Sequence, residues 1–158
     1  MAASPVRDGI IIKKSAKPME IPYMVGSTSH DMAPAFLHPM TKSWGIKNKA
    51  YVWHFCRMLP GDDKGAWHSS DLWYWFGTLE NCWRPMTMKD QDLSNQMTDY
   101  LTNFCKYGDP NGAGLTAWLP MGKGQKKVLR LGEGSTHMGK ADLLKLTKTL
   151  LTNKAVGE

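Results

Sequence analysis

Apolar residues fall into two short, continuous runs in the first third of the chain, Ile21–Val25 and Ala50–Cys56. Both runs are rich in β-branched or aromatic residues and lack the strict alternation of a half-exposed strand. Continuous runs of this length are typical of strands covered on both faces, as in a parallel sheet flanked by helices. The pattern therefore predicts two interior strands, the first of them closed by Gly26.

Farther along the chain the apolar spacing becomes helical. It predicts a long helix from about Lys89 to Lys106, in which Thr87 and Asp90 resemble a capping box and Gly108 ends the helix. The apolar stripe of this helix consists of Leu93, Met97, Tyr100, Leu101 and Phe104.

Weaker patterns complete the predicted elements. Residues 5–15 suggest a hairpin or extended segment, residues 127–131 a short strand, and residues 141–153 a closing helix. The segment 32–49 has room for one short helix at most. Together these elements predict an α/β fold with a few mostly parallel strands flanked by helices, in a single domain over residues 1–158.

Polar loops follow both predicted strands, where ligands and catalytic groups gather in open α/β sheets. His68 lies in a loop before an aromatic, helix-like segment, and its neutral imidazole is suited to general-base work. Asp31 follows the first strand and is the candidate to orient that ring. Three alternatives stay open: a structural role for His68, a role for His30 instead, or hydrogen bonds from Asp31 to amides of its own loop.

The residues beside these candidates have simpler interpretations. Ser69 or Ser70 is expected to cap the helix that follows His68, which would place Asp71 in its first turn. His54 lies inside the second strand and is expected to be a core residue with a satisfied ring nitrogen.

Length and composition limit the class of protein. The chain has 158 residues, 42% of them apolar, and seven tryptophans, which favours a folded domain over disorder. Its three cysteines, Cys56, Cys82 and Cys105, contain no C-x-x-C pair, so we expect free thiols, neither a disulfide framework nor a metal site, and a cytoplasmic protein. No apolar run resembles a signal peptide or a membrane span.

The sequence raises two further possibilities, nucleic-acid binding and phosphate binding. The net charge of +6 and the pI of about 9.2 would suit a nucleic-acid binder, but the lysines are scattered, and a solvated basic surface explains them better. The glycine-rich segment 132–140 lacks the hydroxyl of the phosphate-binding pattern, since Ala141 stands at that position. A connecting loop is the preferred interpretation, and we expect no cofactor.

Residues 65–77, GAWHSSDLWYWFG, resemble the catalytic-histidine signature of the type-B carboxylesterases, the family that includes the cholinesterases, which reads G-x-x-H-x-x-[ED]-[LI]. Further stretches resemble the same family in the same order: 21–31, 100–104, 108–111 and 118–120. The resemblance extends from about Pro5 to the last predicted helix.

This resemblance implies an α/β-hydrolase fold and hydrolysis of a small-molecule carboxylic ester through an acyl-serine. It places His68 at the base, Asp31 at the acidic triad member and Asp71 at the acidic residue three positions after the histidine. Asp31 stands in an altered form of the family's G-x-x-x-D-E-G-like run. The large esterases also insert several dozen residues where this chain has only 32–49, so the resemblance implies a reduced substrate pocket.

The family's nucleophile is a serine in a G-x-S-x-G elbow, and none of the nine serines of this chain lies in that frame. The chain therefore resembles the C-terminal part of a carboxylesterase, without the N-terminal part that bears the nucleophile. We expect it to be inactive alone and to need a complementary N-terminal fragment. If their neighbouring strands are absent, the strands near residues 21 and 50 would present unpaired edges and favour a homo-oligomer. The alternative is a non-catalytic interaction module derived from an esterase.

Overall fold

The structure, a computed structural model, describes residues 21–31 and 43–140. The predicted hairpin at residues 5–15 and the predicted closing helix at 141–153 lie outside the described residues.

Four strands form one sheet in the order β1-β2-β3-β4. They are β1 (Met24–Thr28), β2 (Tyr51–Phe55), β3 (Lys127–Leu131) and β4 (His137–Lys140). The β1–β2 and β2–β3 pairs are parallel, and β4 runs antiparallel to β3. The predicted α/β class with a mostly parallel sheet is confirmed, and the strand predicted at residues 127–131 has the predicted bounds.

Helices lie between the strands in sequence. α1 covers residues 43–48, α2 is Leu72–Trp75, a 3-10 helix covers Leu79–Asn81, and α3 is Met88–Tyr107. Both hydrogen bonds of the predicted Thr87–Asp90 capping box form at the start of α3, and Gly108 ends the helix with a φ of 70°. A left-handed residue after a helix is the conformation that glycine adopts most readily.

β1 begins and ends three residues later than predicted. Gly26 was expected to stop the strand, but it pairs with Trp53 of β2, and a Cβ atom at Gly26 would lie only 2.0 Å from the Trp53 ring. The glycine is required because the indole lies directly over its backbone. Ile21, the predicted start, is instead half exposed.

Two further sequence expectations are wrong. β2 lies between β1 and β3, so residue 50 adjoins no free strand edge, whereas β1 pairs with β2 alone among the described strands. Segment 132–140 is more than a connecting loop, because residues 132–136 turn the chain back and β4 follows. Gly132 and Gly134, with φ of 83° and 69°, supply left-handed conformations in that turn.

Apolar side chains pack on both faces of the sheet because neighbouring residues of a strand point to opposite sides. Phe55 belongs to the larger cluster with α2 and α3, and Val52 to a smaller one with Ala50, Met121 and Val128. His54 is buried, and its Nδ1 atom lies 3.3 Å from Ser27 Oγ, which confirms the core role predicted for it. Fully buried members of the larger cluster include Leu59, Tyr74, Met97, Tyr100, Trp118, Leu129 and Leu131.

None of the three cysteines forms a disulfide; Cys56 is buried, Cys82 is half-buried and Cys105 is exposed. Met97 and Met121 are fully buried in the core, whereas Met58 and Met88 are exposed. Within the described ranges, no helix combines the length and the apolar character that crossing a membrane requires.

Candidate active site

The site is built where the parallel strands β1 and β2 end. Both strands leave the sheet at the same edge, so the loops that follow them are neighbours. Backbone hydrogen bonds join these loops, from Ser29 N to Phe55 O at 2.9 Å and from His30 N to Ala66 O at 2.8 Å. A parallel bridge between His30 and Trp67 continues the pairing.

This pairing brings His68 and Asp31 together. The Nδ1 atom of His68 lies 3.1 Å from each carboxylate oxygen of Asp31. A carboxylate only accepts hydrogen bonds, so Nδ1 carries the proton and, in the neutral ring, Nε2 carries the lone pair. The structure thus joins the two sequence-predicted candidates, and their catalytic roles stay a prediction.

The two partners differ in exposure. The Asp31 side chain is only 10% exposed, whereas the His68 side chain is 69% exposed. The buried carboxylate is suited to fix the orientation of the ring, and the exposed ring is open to a reacting group on its other side.

The turn that carries His68 differs from its prediction. Neither Ser69 nor Ser70 caps α2; Asp71 occupies the N-cap position, and its side chain makes no capping hydrogen bond. The reason is a tight turn in which Ser70 N donates to Trp67 O at 3.0 Å and Ser69 adopts a φ of 68°. Both serines lie in this turn, and α2 starts at Leu72, directly after Asp71.

Asp71 is a second acidic group at this site. Its residue is only 6% exposed, and this burial raises the pKa of its carboxyl. The charge of Asp31 acts in the same direction, and the charge of His68 opposes it. Asp71 is therefore electrostatically linked to both members of the pair.

Asp90 of α3 holds α2, the helix that follows His68, through hydrogen bonds. Tyr74 of α2 donates to Asp90 Oδ1 at 2.7 Å, and Arg57, just after β2, donates to the same carboxylate at 2.7 and 3.1 Å. Sequence reasoning found Asp90 as a capping residue but missed this second role. No spacing rule links Arg57 to Asp90, because the contact depends on how the sheet and α3 pack.

Aromatic rings hold the same loop. Trp67 and Trp73 meet edge to face at 5.7 Å, and Phe55 lies 5.0 Å from Tyr74. Such pairs add about 0.5–1.5 kcal/mol each beyond the area that they bury. The loop that carries His68 is thus fixed by packing of the aromatic rings next to it in sequence.

No metal centre is found in the part of the chain that the structure describes, since no three His, Cys, Asp or Glu side chains are grouped as ligands there.

Comparison with known proteins identifies the family. The model of the carboxylesterase family matches residues 32–149, which is most of the chain. The chain belongs to the carboxylesterase family. No curated protein matches it.

Solved esterases share the fold. An esterase from anaerobic Clostridium hathewayi, described as able to hydrolyse aliphatic aromatic polyesters, is 24% identical with a TM-score of 0.55, and the match covers 72% of this chain and 23% of that one. A PNB esterase is 15% identical (TM-score 0.56; 68% and 24% covered), and a thermophilic PNB esterase is 18% identical (TM-score 0.54; 67% and 24%).

These identities show similarity of fold alone. The chain is similar to esterase α/β-hydrolase structures and spans about a quarter of the length of the solved esterases that it matches. The resemblance to carboxylesterases stated from the sequence is confirmed at the level of the family and the fold.

Proposed function

We propose that this carboxylesterase-family chain supplies the base and the orienting acid of a serine carboxylesterase, with the nucleophilic serine coming from outside these 158 residues. The observation that supports the proposal most directly is the contact of His68 Nδ1 with both oxygens of Asp31 at 3.1 Å. The exposed His68 ring beside a nearly buried carboxylate is the arrangement that a base–acid pair needs.

The proposed reaction follows from this geometry. Asp31 holds the proton on Nδ1, so Nε2 of His68 accepts the proton of a serine hydroxyl as its oxygen attacks the ester carbonyl. The imidazolium, stabilised by Asp31, then protonates the leaving alcohol, and an acyl-serine is formed. A water molecule releases the acid by the same two proton transfers and regenerates the serine.

The substrate class is proposed from the family and not from a pocket. Solved relatives of the fold include esterases, one of them described as hydrolysing aliphatic aromatic polyesters. We therefore expect a small-molecule carboxylic ester and no turnover by the isolated chain. The missing G-x-S-x-G frame gives the physical reason, since a base without a nucleophile cannot form the acyl intermediate.

A chimera tests the proposal directly. This chain would replace the matching quarter of the Clostridium hathewayi esterase, so that one polypeptide contains both the G-x-S-x-G elbow and the His68–Asp31 pair. We expect the isolated chain to leave p-nitrophenyl butyrate intact and the chimera to hydrolyse it. His68→Ala in the chimera should lower kcat by at least ~10³-fold, as removal of a triad base does.

The matched control is His137→Ala, which removes an exposed histidine of β4 away from the pair. A folded chimera that keeps its activity after His68→Ala would contradict the proposal. A chimera that is folded but inactive would favour the second candidate function, a non-catalytic interaction module. That candidate is motivated by the absence of the G-x-S-x-G frame from the chain.

We expect the proposed complementary partner to bind beside β1. β1 pairs with β2 alone among the described strands, and an open strand edge presents backbone groups that can pair with another strand. We expect the isolated chain to self-associate through this edge. Sedimentation at high concentration checks this, and a purely monomeric chain would contradict it.

A further inference from the structure

His30 is the residue that connects the two loops of the candidate site. It precedes Asp31 directly, and its backbone N–H donates to Ala66 O at 2.8 Å. Its side chain reaches the same segment, because Ala66 N donates to His30 Nδ1 at 3.4 Å. The loop that carries Asp31 is thus bonded to the loop that carries His68 by both the backbone and the ring of one residue.

Gly65 makes this contact possible. It has a φ of 71°, and a Cβ atom there would lie 2.7 Å from His30 Nδ1 and 2.8 Å from the next ring atom. Contacts that short do not occur between real side chains, so the imidazole can lie against this backbone only because residue 65 is glycine.

The hydrogen bond from the Ala66 amide determines which nitrogen of the His30 ring carries the proton. A backbone amide can only donate, so His30 Nδ1 must carry a lone pair, and its proton lies on Nε2. The Ser29 hydroxyl lies 2.8 Å from the same nitrogen and shares its lone pair with the Ala66 amide as a second donor. His30 is therefore a neutral acceptor, in contrast to His68, whose Nδ1 donates to Asp31.

We propose that His30 is a positioning residue that holds Asp31 and His68 in register by accepting a hydrogen bond from the Ala66 amide. Its catalytic meaning rests on the proposed esterase function. From the sequence, His30 was an alternative to Asp31 as the polar residue that matters at this site. In the proposal both residues contribute, each in a different way. Asp31 contacts the base, and His30 sets the distance between the loops that carry both.

The tautomer of His68 reports this positioning without any substrate. In the full chain labelled with ¹⁵N at histidine, NMR measures the ratio of the Nδ1–H form to the Nε2–H form of His68. Asp31 favours the first form only while it is in contact with Nδ1. We expect His30→Ala to lower this ratio by up to about fivefold, the value for loss of one average hydrogen bond, and to lower the melting temperature by no more than about 4 °C.

Two variants make the test specific. His30→Asn places an amide oxygen near the position of Nδ1 and should restore the ratio to within about twofold of the unmodified chain, because it again accepts from Ala66. His137→Ala, which removes an exposed histidine of β4, should leave the ratio unchanged. A merely structural role would not produce rescue of the His68 tautomer by asparagine.

A folded His30→Ala chain with an unchanged ratio would overturn the proposal, as would His30→Asn behaving like His30→Ala. Should His30→Ala fail to fold, hydrogen exchange in the unmodified chain decides. A protected Ala66 amide supports the hydrogen bond, and exchange at the rate of an open peptide overturns it. The tautomer ratio does not depend on ester turnover, so an inactive chimera with a His30-dependent ratio would contradict the proposed function and leave the positioning intact.

Discussion

Two carboxylates of this chain, Asp90 and Asp31, each contact a partner from a distant segment, but the surroundings of the two pairs differ in their exposure to solvent. Asp90 has a fully buried side chain and accepts hydrogen bonds from Arg57, Tyr74 and Thr87. Asp31 is nearly buried as well, yet its partner His68 is 69% exposed. The charge of Asp90 is satisfied inside the fold, whereas the Asp31–His68 pair keeps one side open to solvent.

From this difference in exposure we expect the Asp90 contacts to stabilise the fold and the Asp31–His68 pair to serve chemistry. The hydrogen bonds to Asp90 join the end of β2, α2 and the first turn of α3, so removal of this carboxylate affects three elements. The pair at Asp31 joins two loops and leaves a basic nitrogen free to react. We expect substitutions at the first site to change the free energy of unfolding, and substitutions at the second to change activity.

The largest expected change in stability comes from Asp90→Asn. The amide cannot carry the charge that compensates Arg57, and one of its edges would present N–H groups to other donors. We expect the free energy of unfolding to fall by about 3–5 kcal/mol, as when one partner of a buried ion pair is removed. Urea denaturation measures it, with the exposed Asp92→Asn on the same helix as control, for which a change below ~0.5 kcal/mol is expected.

We expect acid to lower the stability of the fold by protonating the same residue, Asp90. Burial raises the pKa of Asp90, but hydrogen bonds from Arg57, Thr87 and Tyr74 outweigh burial and hold this pKa well below its usual range. In the unfolded chain the carboxyl takes up a proton near pH 3.9, so the stabilisation is present above that pH and is lost as the pH falls toward the folded value.

We therefore expect the free energy of unfolding to decrease below about pH 5, by up to ~1.4 kcal/mol per pH unit from this group. Chemical denaturation at several pH values measures the slope. Asp62 and Asp109 also have lowered pKa values, from hydrogen bonds with Arg84 and Asn111 respectively. The slope that disappears in Asp90→Asn isolates the contribution of Asp90, and an identical slope in both proteins would contradict it.

Tyr74→Phe makes a smaller change in the Asp90 cluster. It keeps the ring against Phe55 but removes the hydrogen bond from the phenol to Asp90 at 2.7 Å. We expect a loss of about 1.5 kcal/mol, since the acceptor is charged. Tyr100→Phe is the matched control, because its phenol donates at the same 2.7 Å to the neutral carbonyl of Thr116 and should cost about 1 kcal/mol. Equal losses would show that the charge of Asp90 adds nothing to the bond.

The sequence predicts those parts of the fold that depend on local signals. The long helix α3 follows from its apolar stripe, its Thr87–Asp90 cap and Gly108, all of which lie within or beside the helix. β2 and β3 follow from short apolar runs. These signals need no knowledge of what the element packs against.

The remaining errors come from a contact between distant residues in one case and from an unrecognised local turn in the other. Gly26 ends no strand because the Trp53 ring covers it, and the turn at Ser69 and Ser70 forms through Trp67 O instead of capping α2. The candidate residues of the site, Asp31 and His68, were named from the sequence by resemblance and loop position. Their 3.1 Å contact depends on two parallel strands ending at one edge, which no spacing along the chain encodes.

The smallest expected change in stability is at the exposed member of the candidate pair. His68→Ala removes a ring that is 69% exposed, so we expect the free energy of unfolding to change by less than about 0.5 kcal/mol, within the range of ordinary surface substitutions. Urea denaturation beside His137→Ala measures this. A loss comparable to that of Asp90→Asn would mean that the pair is a structural contact like the one at Asp90. A near-zero change, together with loss of turnover in the chimera, would mean that the fold gains nothing from His68 and that its place against Asp31 serves the reaction.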